Sequence, residues 1–471
     1  MVNDQSGRST DLGVPVTRGV TLARLTTGPV GGHLVRMAAP LMCGIFAMMA
    51  FNLADTWFIS QLGTAELAAV SFTFPVIMIV SAASIGLGAG TSSVLARAVG
   101  EDNWPRVQRL SSDALVLAVL VGIVFAVIGF AVIEPLFRLL GANDETLPLV
   151  TRYMRIWLLG TPFLLAPMVG MASVRATGDT LLPSAVMIGW AVVNFGLDPL
   201  LIFGAGPVPG YGIDGAAWAS VIARFLFAGA ALVVLARTDL LTTRLGNAAK
   251  IVASWREILH VGLPAAGTNA IIPAATAVAT AMIAGFGQTA VAGFGVASRV
   301  ESVTLIMFYA LSAVIGPFAG QNLGASRPDR ILRALALCNV FSIVSGLVLA
   351  AILFVAGRDI ALFFDDQVDV VDVAVHYFWI VPLSYGTAGM VMIMNATFNG
   401  LGRPLPAVVI SMARMIFIFL PLAWLGGRVY GVDGIFAALA LANVVCGVGA
   451  YLWVRNVIRS LPSADPTLAS D

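Results

Sequence analysis

Four polar side chains stand inside apolar stretches, where a charge costs at least about 2.5–3.5 kcal/mol on insertion scales. They are Asp55 in FNLADTWF, Asn194 and Asp198 in NFGLDP, and Ser220 in GAAWAS. Asn194 and Asp198 are four residues apart, so on a helix they share a face. Pro199 donates no backbone hydrogen bond to the carbonyl of Phe195, which leaves that oxygen beside Asp198. Two carboxylates, an amide, a hydroxyl and a free carbonyl form an oxygen-rich set for Na⁺. Desolvation favours the neutral form of a carboxyl group, so the same residues also suit a proton carrier. Arg224 follows Ser220 on the same face, about 6 Å deeper. It either pairs with Asp198 or extends toward water or a headgroup. The plain alternative for the whole set is a structural hydrogen-bond network.

The elements that must position these residues follow from composition. Of 471 residues 59% are hydrophobic and 11% charged, with a mean hydropathy of +0.94. A soluble domain carries roughly 25% charged residues, so most of this chain is solvated by lipid. The net charge of +1 argues against a nucleic-acid partner. Cys43, Cys338 and Cys446 are isolated, and His33, His260 and His376 show no ligand spacing, so neither a disulfide framework nor a metal centre is expected. No GxxxxGK[ST] sequence is present to bind ATP. Apolar runs of about 20 residues begin near 34, 66, 112, 150, 183, 215, 257, 290, 331, 373, 406 and 432, predicting an all-α membrane protein of twelve spans. The predicted organisation is a disordered tail over 1–32, a six-helix lobe over 33–236, a linker over 237–256, a second lobe over 257–458 and a tail over 459–471. The first tail lacks the apolar core of a cleaved signal peptide. Eighteen of the 26 Lys and Arg fall in the N-terminus, the loops after even-numbered spans and the C-terminus. The positive-inside rule therefore puts both termini in the cytoplasm.

The halves repeat. A shift of 224 residues brings GEDNWPRVQRL at 100–110 onto GASRPDRILRA at 324–334, and Tyr153 onto Tyr377. A slightly smaller shift brings YGIDG at 211–215 onto YGVDG at 430–434. Two six-span repeats that both start inside are parallel, the arrangement that supports rocking about a site between lobes. The repeat also acts as an internal control. Asp55 is opposed by Ala279, Asn194 by Ile416, Asp198 by Leu420 and Ser220 by Leu439. A purely scaffolding role would leave some of these polar residues in both halves, so their asymmetry places the chemistry in the first. Asp55, Asp198 and Ser220 also lie at one depth, roughly 8–9 Å below the outer surface. Elsewhere, Arg299 and Glu301 read as an ion pair or rim contact, and Arg414 as a packed or snorkelling cation. Methionines of the first half, with Met48, Met168 and Met171 beside Phe51, are candidates for an adaptable substrate pocket, with gap-filling in a helical core as the alternative.

These residues resemble the multidrug and toxic compound extrusion (MATE) transporters, particularly their DinF-like branch, over about 33–458. The resemblance rests on Asp55, the NxxxD of Asn194 and Asp198, the segment ending at Ser220, and the paired loops MASVRATGDT at 171–180 and NATFNGLGRP at 395–404. It implies two V-shaped six-helix lobes that export organic cations against H⁺ or Na⁺. It also implies that Asp55, Asn194, Asp198 and Ser220, with Tyr153, form the coupling site. Ile272 and an acid-free tenth span stand where another branch carries acids, which confines the implied coupling to the first lobe. The expected protein is a monomer in a bacterial plasma membrane, acting on small organic cations, with no cofactor beyond the coupling ion. A flippase for lipid-linked precursors is the alternative, for which a strongly basic cavity is expected. An intramembrane aspartyl protease is disfavoured, because LADT and GLDP match neither the YD nor the GxGD pattern.

Overall fold

A computed structural model describes residues 25–242 and 246–462. Without water to satisfy them, backbone N–H and C=O groups in lipid must bond within a helix, and these apolar runs do so. The first half contains α1 (Val30–Ser60), α2 (Thr64–Gly100), α3 (Trp104–Leu139), α4 (Thr146–Leu159), α5 (Thr161–Ala176), α6 (Leu181–Ile202) and α7 (Ile213–Arg237). The second contains α8 (Ala248–Ala284), α9 (Gln288–Thr304), α10 (Ile306–Gly324), α11 (Pro328–Leu362), α12 (Val368–Ile380), α13 (Tyr385–Gly400), α14 (Pro404–Met412) and α15 (Leu420–Arg459). Three spans are broken helices: α4 with α5, α9 with α10, and α12 with α13. The first of these bends by 43° where Gly160 and Pro162 interrupt the backbone ladder. A π-helical turn, Ala413–Phe419, joins α14 to α15, and α15 turns at Gly431 into the last span. The twelve expected spans are all present. The glycine-rich loop at 204–212 adds a short antiparallel hairpin, Gly204–Ala205 with Val208–Pro209, to an otherwise helical fold.

The internal repeat is written into the backbone. Left-handed residues recur in register: Gly63 with Gly287, Asp102 with Ser326, Gly178 with Gly402, and, at the smaller offset, Gly212 with Gly431. At Gly63 (φ 143°) and Gly287 (φ 114°) the turn between the first two spans of each half demands a conformation closed to L side chains.

The chain's described ends, Leu25 and Pro462, share one face of the molecule, called proximal here. Close contacts between the lobes gather in this half. A Cβ on Gly90 would overlap the carbonyl oxygen of Ile258, one on Gly100 the carbonyl of Gln321, and one on Gly324 the carbonyl of Arg97. Ser93 donates across the lobes to the carbonyl of Asn399, and Arg106 bridges Glu101 and, at 3.0 Å, Glu257 of α8. Toward the other, distal face α1 exposes Leu53 and Trp57, while Phe58 and Ile59 pack into the first-lobe core. The lobes therefore meet proximally and part distally. Gly90→Val is expected to wedge the proximal contact open. A cysteine introduced at Ser93 should then react with a membrane-impermeant maleimide at least about ten-fold faster, and an unchanged rate would refute this contact as the closure.

The expected domain limits need correction. Leu25 is 1% exposed and the first helix starts at Val30, so the end of the supposed 1–32 tail is ordered; residues 1–24 lie outside the described residues. The backbone of Leu25 donates to Gln321 (3.2 Å) and accepts from Arg330 (3.0 Å), while its side chain packs beside Gly178 of the other lobe. Leu34, Met37 and Leu41 of α1 join a second-lobe core with Phe318, Leu335 and Phe398. The proximal half of α1 is thus shared between lobes, because closure buries its apolar face against α10 and α11. The supposed linker 237–256 is helical from Ala248, with Asn247 capping Lys250 (3.2 Å). Residues 243–245 of that linker and 463–471 of the second tail also lie outside the described residues.

Candidate functional site

The distal half of the first lobe gathers the residues singled out above. α6 presents Asn194 and Asp198 inward, both fully buried, while Val192 and Phe195 on its other sides are exposed. This is the i,i+4 spacing acting on a helix whose outer faces contact lipid. Asp55, from the distal half of α1, lies near enough to Asp198 for the charge of each carboxyl group to act on the other. Two neighbouring carboxylates repel each other unless a proton or a cation lies between them. Both side-chain oxygens of Asp198, one of Asp55, and both polar atoms of Asn194 have no hydrogen-bond partner in the protein. Buried polar atoms left in this way are what a bound monovalent cation, or a proton with its waters, would satisfy. Among the described residues no three of His, Cys, Asp or Glu converge, so a tightly held divalent metal has no ligand set here.

Arg224 settles against neither expected partner. It is 7% exposed, so it does not reach water, and it makes no ion pair with Asp198. Its guanidinium lies 4.3 Å from the Trp157 ring centre, with NH1 3.4 Å from the Trp157 carbonyl. The break after α4 explains this: at Gly160 a side chain would crowd that same nitrogen. A cation held on an aromatic face keeps its charge available to its neighbours. Asp55 and buried Tyr153 lie within its electrostatic range. Ser220 stands one turn before Arg224 on α7 and is also buried. The structure therefore brings Asp55, Tyr153, Asn194, Asp198 and Ser220 into one region, with Arg224 beside them. Trp157 was missed in the sequence; its place one turn after Tyr153 was the available signal.

The suggested substrate pocket disperses. Met171 is 1% exposed and fills the first-lobe core, with Met168 packed against the same core. Phe51 is buried edge-on against Trp190, ring centres 5.2 Å apart, and Met48 is half-buried. In the second lobe the Arg299–Glu301 pair does not form. Arg299 is exposed, and Glu301 instead accepts a 2.5 Å hydrogen bond from Tyr377. Arg414 does not snorkel either, being 8% exposed.

The model of the MatE family matches residues 40–200 and again 264–425, one copy in each lobe. The chain belongs to the MATE family. It is 40% identical to a protein of Shewanella oneidensis named FAD transporter, over 92% of this chain and 96% of that one. It is 26% identical to the probable multidrug resistance protein YoeA of Bacillus subtilis, over 85% and 89% of the two chains. The crystal structure of the Vibrio cholerae MATE transporter VcmN in the bent form superposes with a TM-score of 0.86 at 29% identity, covering 91% of this chain and 97% of that one. This MATE protein is accordingly a bacterial multi-pass membrane transporter built from two repeated six-span lobes.

Proposed function

We propose that the chain is a secondary exporter that exchanges a small organic compound for H⁺ or Na⁺, with the coupling ion held at Asp55 and Asp198. The observation that carries this reading is the burial of those two neighbouring carboxyl groups, with oxygens left unpartnered, in the first lobe, where the repeat puts Ala279 and Leu420 in the second. The distribution of arginine assigns the proximal face to the cytoplasm. The lobes then part toward the outside, the state in which an external ion enters and the exported compound leaves. Ion binding neutralises the repulsion between the carboxyls and lets α1 repack, lowering affinity for the compound. By reciprocity, the compound bound from inside lowers affinity for the ion. Exchange of one monovalent cation for one proton is electroneutral and draws about 1.4 kcal/mol per pH unit. A second charge at the pair would add about 2.3 kcal/mol per 100 mV of membrane potential.

Organic cations are the substrate reading carried by the acidic first-lobe site and by the multidrug relatives. A flavin dinucleotide is the second reading, favoured by the 40% identity to the protein named FAD transporter. The test is efflux of ethidium and of FAD, separately, from proteoliposomes with an imposed pH or Na⁺ gradient. Efflux of either compound driven by one gradient supports exchange and names the ion. Failure of both compounds under both gradients sinks the exchange reading and turns attention to a flippase.

A further inference from the structure

The first-lobe site has a counterpart in the second lobe that carries different charges. The repeat pairs Asp55 with Ala279 and Tyr153 with Tyr377; the offset of the YGIDG and YGVDG segments pairs Ser220 with Leu439 and Arg224 with Asn443. All four second-lobe partners line a single cavity of about 230 Å³. The second lobe thus gathers four of these repeat positions around a cavity, while Ile416 and Leu420, the partners of Asn194 and Asp198, do not line it. In the second copy the aspartates have gone, and two ionisable groups have entered from other positions, Glu301 and Arg414.

These two groups are not equivalent. The Glu301 carboxylate is engaged by the Tyr377 hydroxyl at 2.5 Å. Arg414 makes one long hydrogen bond, its NH1 3.4 Å from the Asn443 side-chain oxygen, and its Nε is buried with no acceptor; the charge of Glu301 in the same cavity acts on it without an ion-pair contact. Asn443 is itself locked, donating to Ser384 at 3.0 Å, whose hydroxyl donates to the carbonyl of Val381. That chain fixes the amide oxygen toward Arg414 and leaves no freedom to improve the bond. The arginine stands in the π-helical turn Ala413–Phe419, an expensive local geometry that recurs at functional sites. Around it Phe294, Tyr377 and Phe436 form an aromatic wall, with ring centres 4.9–6.3 Å apart. A guanidinium with unused donors facing a cavity within a membrane lobe calls for an anionic partner.

We propose that this cavity binds the anionic end of the exported molecule, an aromatic organic compound bearing a phosphate, with Arg414 holding the phosphate and the aromatic wall holding its ring. The proposal rests on the export reading and deepens it by naming the substrate class. The cavity volume suits one end of such a molecule, since pockets that enclose a whole small ligand run from about 300 to 1,000 Å³. The two lobes then divide the labour, the first taking the coupling cation and the second an anionic group.

Riboflavin and FMN differ by one phosphate, so they isolate the claim. Binding of each to the purified full-length chain in phosphatidylcholine nanodiscs is read from flavin fluorescence. FMN is expected to bind at least about ten-fold more tightly than riboflavin, the margin a charge-assisted guanidinium–phosphate contact supplies. Arg414→Gln should lower FMN affinity by at least about ten-fold and leave riboflavin unchanged, with Arg414→Lys in between. Ser298→Trp, which fills the cavity and keeps the charge, should weaken both and serves if Arg414→Gln misfolds. Equal binding of FMN and riboflavin, no binding of either, or an indifferent Arg414→Gln would overturn the proposal. So would loss of FMN binding when phosphatidylglycerol is added to the nanodiscs, because Arg414 would then be holding a lipid headgroup. Phosphate selectivity without gradient-driven efflux would strike the export reading alone, and efflux without phosphate selectivity would strike this site alone.

Discussion

Asp55→Asn is expected to reduce gradient-driven efflux from proteoliposomes by about 100-fold, within the range spanned by a coupling free energy of a few kcal/mol. The amide keeps the size of the carboxyl group, but it neither gains nor loses charge. Asp55 is on the distal half of α1, whose proximal half is locked into the second-lobe core through Leu34, Met37 and Leu41. A change in the repulsion between Asp55 and Asp198 therefore acts on a helix that both lobes hold. The protein should remain monodisperse in size-exclusion chromatography, because removing one of two neighbouring buried carboxylates relieves repulsion. Asp55→Glu should recover part of the activity. Efflux at the unmodified rate in Asp55→Asn would end the coupling assignment.

Arg224→Met is expected to destabilise the chain by about 3 kcal/mol, the size of effect seen when one member of a buried charge group is removed and the others stay. Methionine fills most of the volume over Trp157, so the loss reports charge and the cation–π contact and not a cavity. Without Arg224, Asp55 loses the positive charge that acts on it, while the charge of Asp198 beside it remains. Adding Asp198→Asn to Arg224→Met should then return part of the lost stability, and a thermal-melt double-mutant cycle measures it. If Arg224→Met melts with the unmodified chain, or if the two changes add without interaction, Arg224 does not compensate the carboxyls.

The candidate coupling site was largely legible in the chain. Asn194 and Asp198 could be placed together because helical spacing alone puts residues four apart on one face. Asp55 could be added because the repeat supplied a comparison at each position, and an intramembrane carboxylate is too costly to keep without a use. The methionine pocket failed for the same reason that methionine is ambiguous in any core. Its flexible thioether fills gaps as readily as it lines cavities, and Met171 does the former. Arg224 was placed on the correct helix face, but its partner was not foreseen. A long side chain reaches several candidates, and the choice of Trp157 depends on the break at Gly160, which is a property of the folded span.

Composition and periodicity determined the membrane class, the twelve spans and the two-lobe repeat, because lipid admits only self-satisfied helices of a set length and each span carries that requirement locally. The asymmetry of charge between the repeats was equally a property of the sequence. The tertiary structure decided which lobes touch where: closure at the proximal face depends on Gly86 and Gly90 of α2 approaching Gly262 of α8, far away in sequence. It decided that residues 25–29 belong to the fold, since a polar segment is ordered only when carbonyl acceptors meet donors such as Arg330. It also decided the pairing of Glu301 with Tyr377, which leaves Arg414 a single long hydrogen bond to Asn443. Sequence spacing specifies which face of a helix a side chain occupies, but only the packing of one helix on another determines which charge is left without a partner.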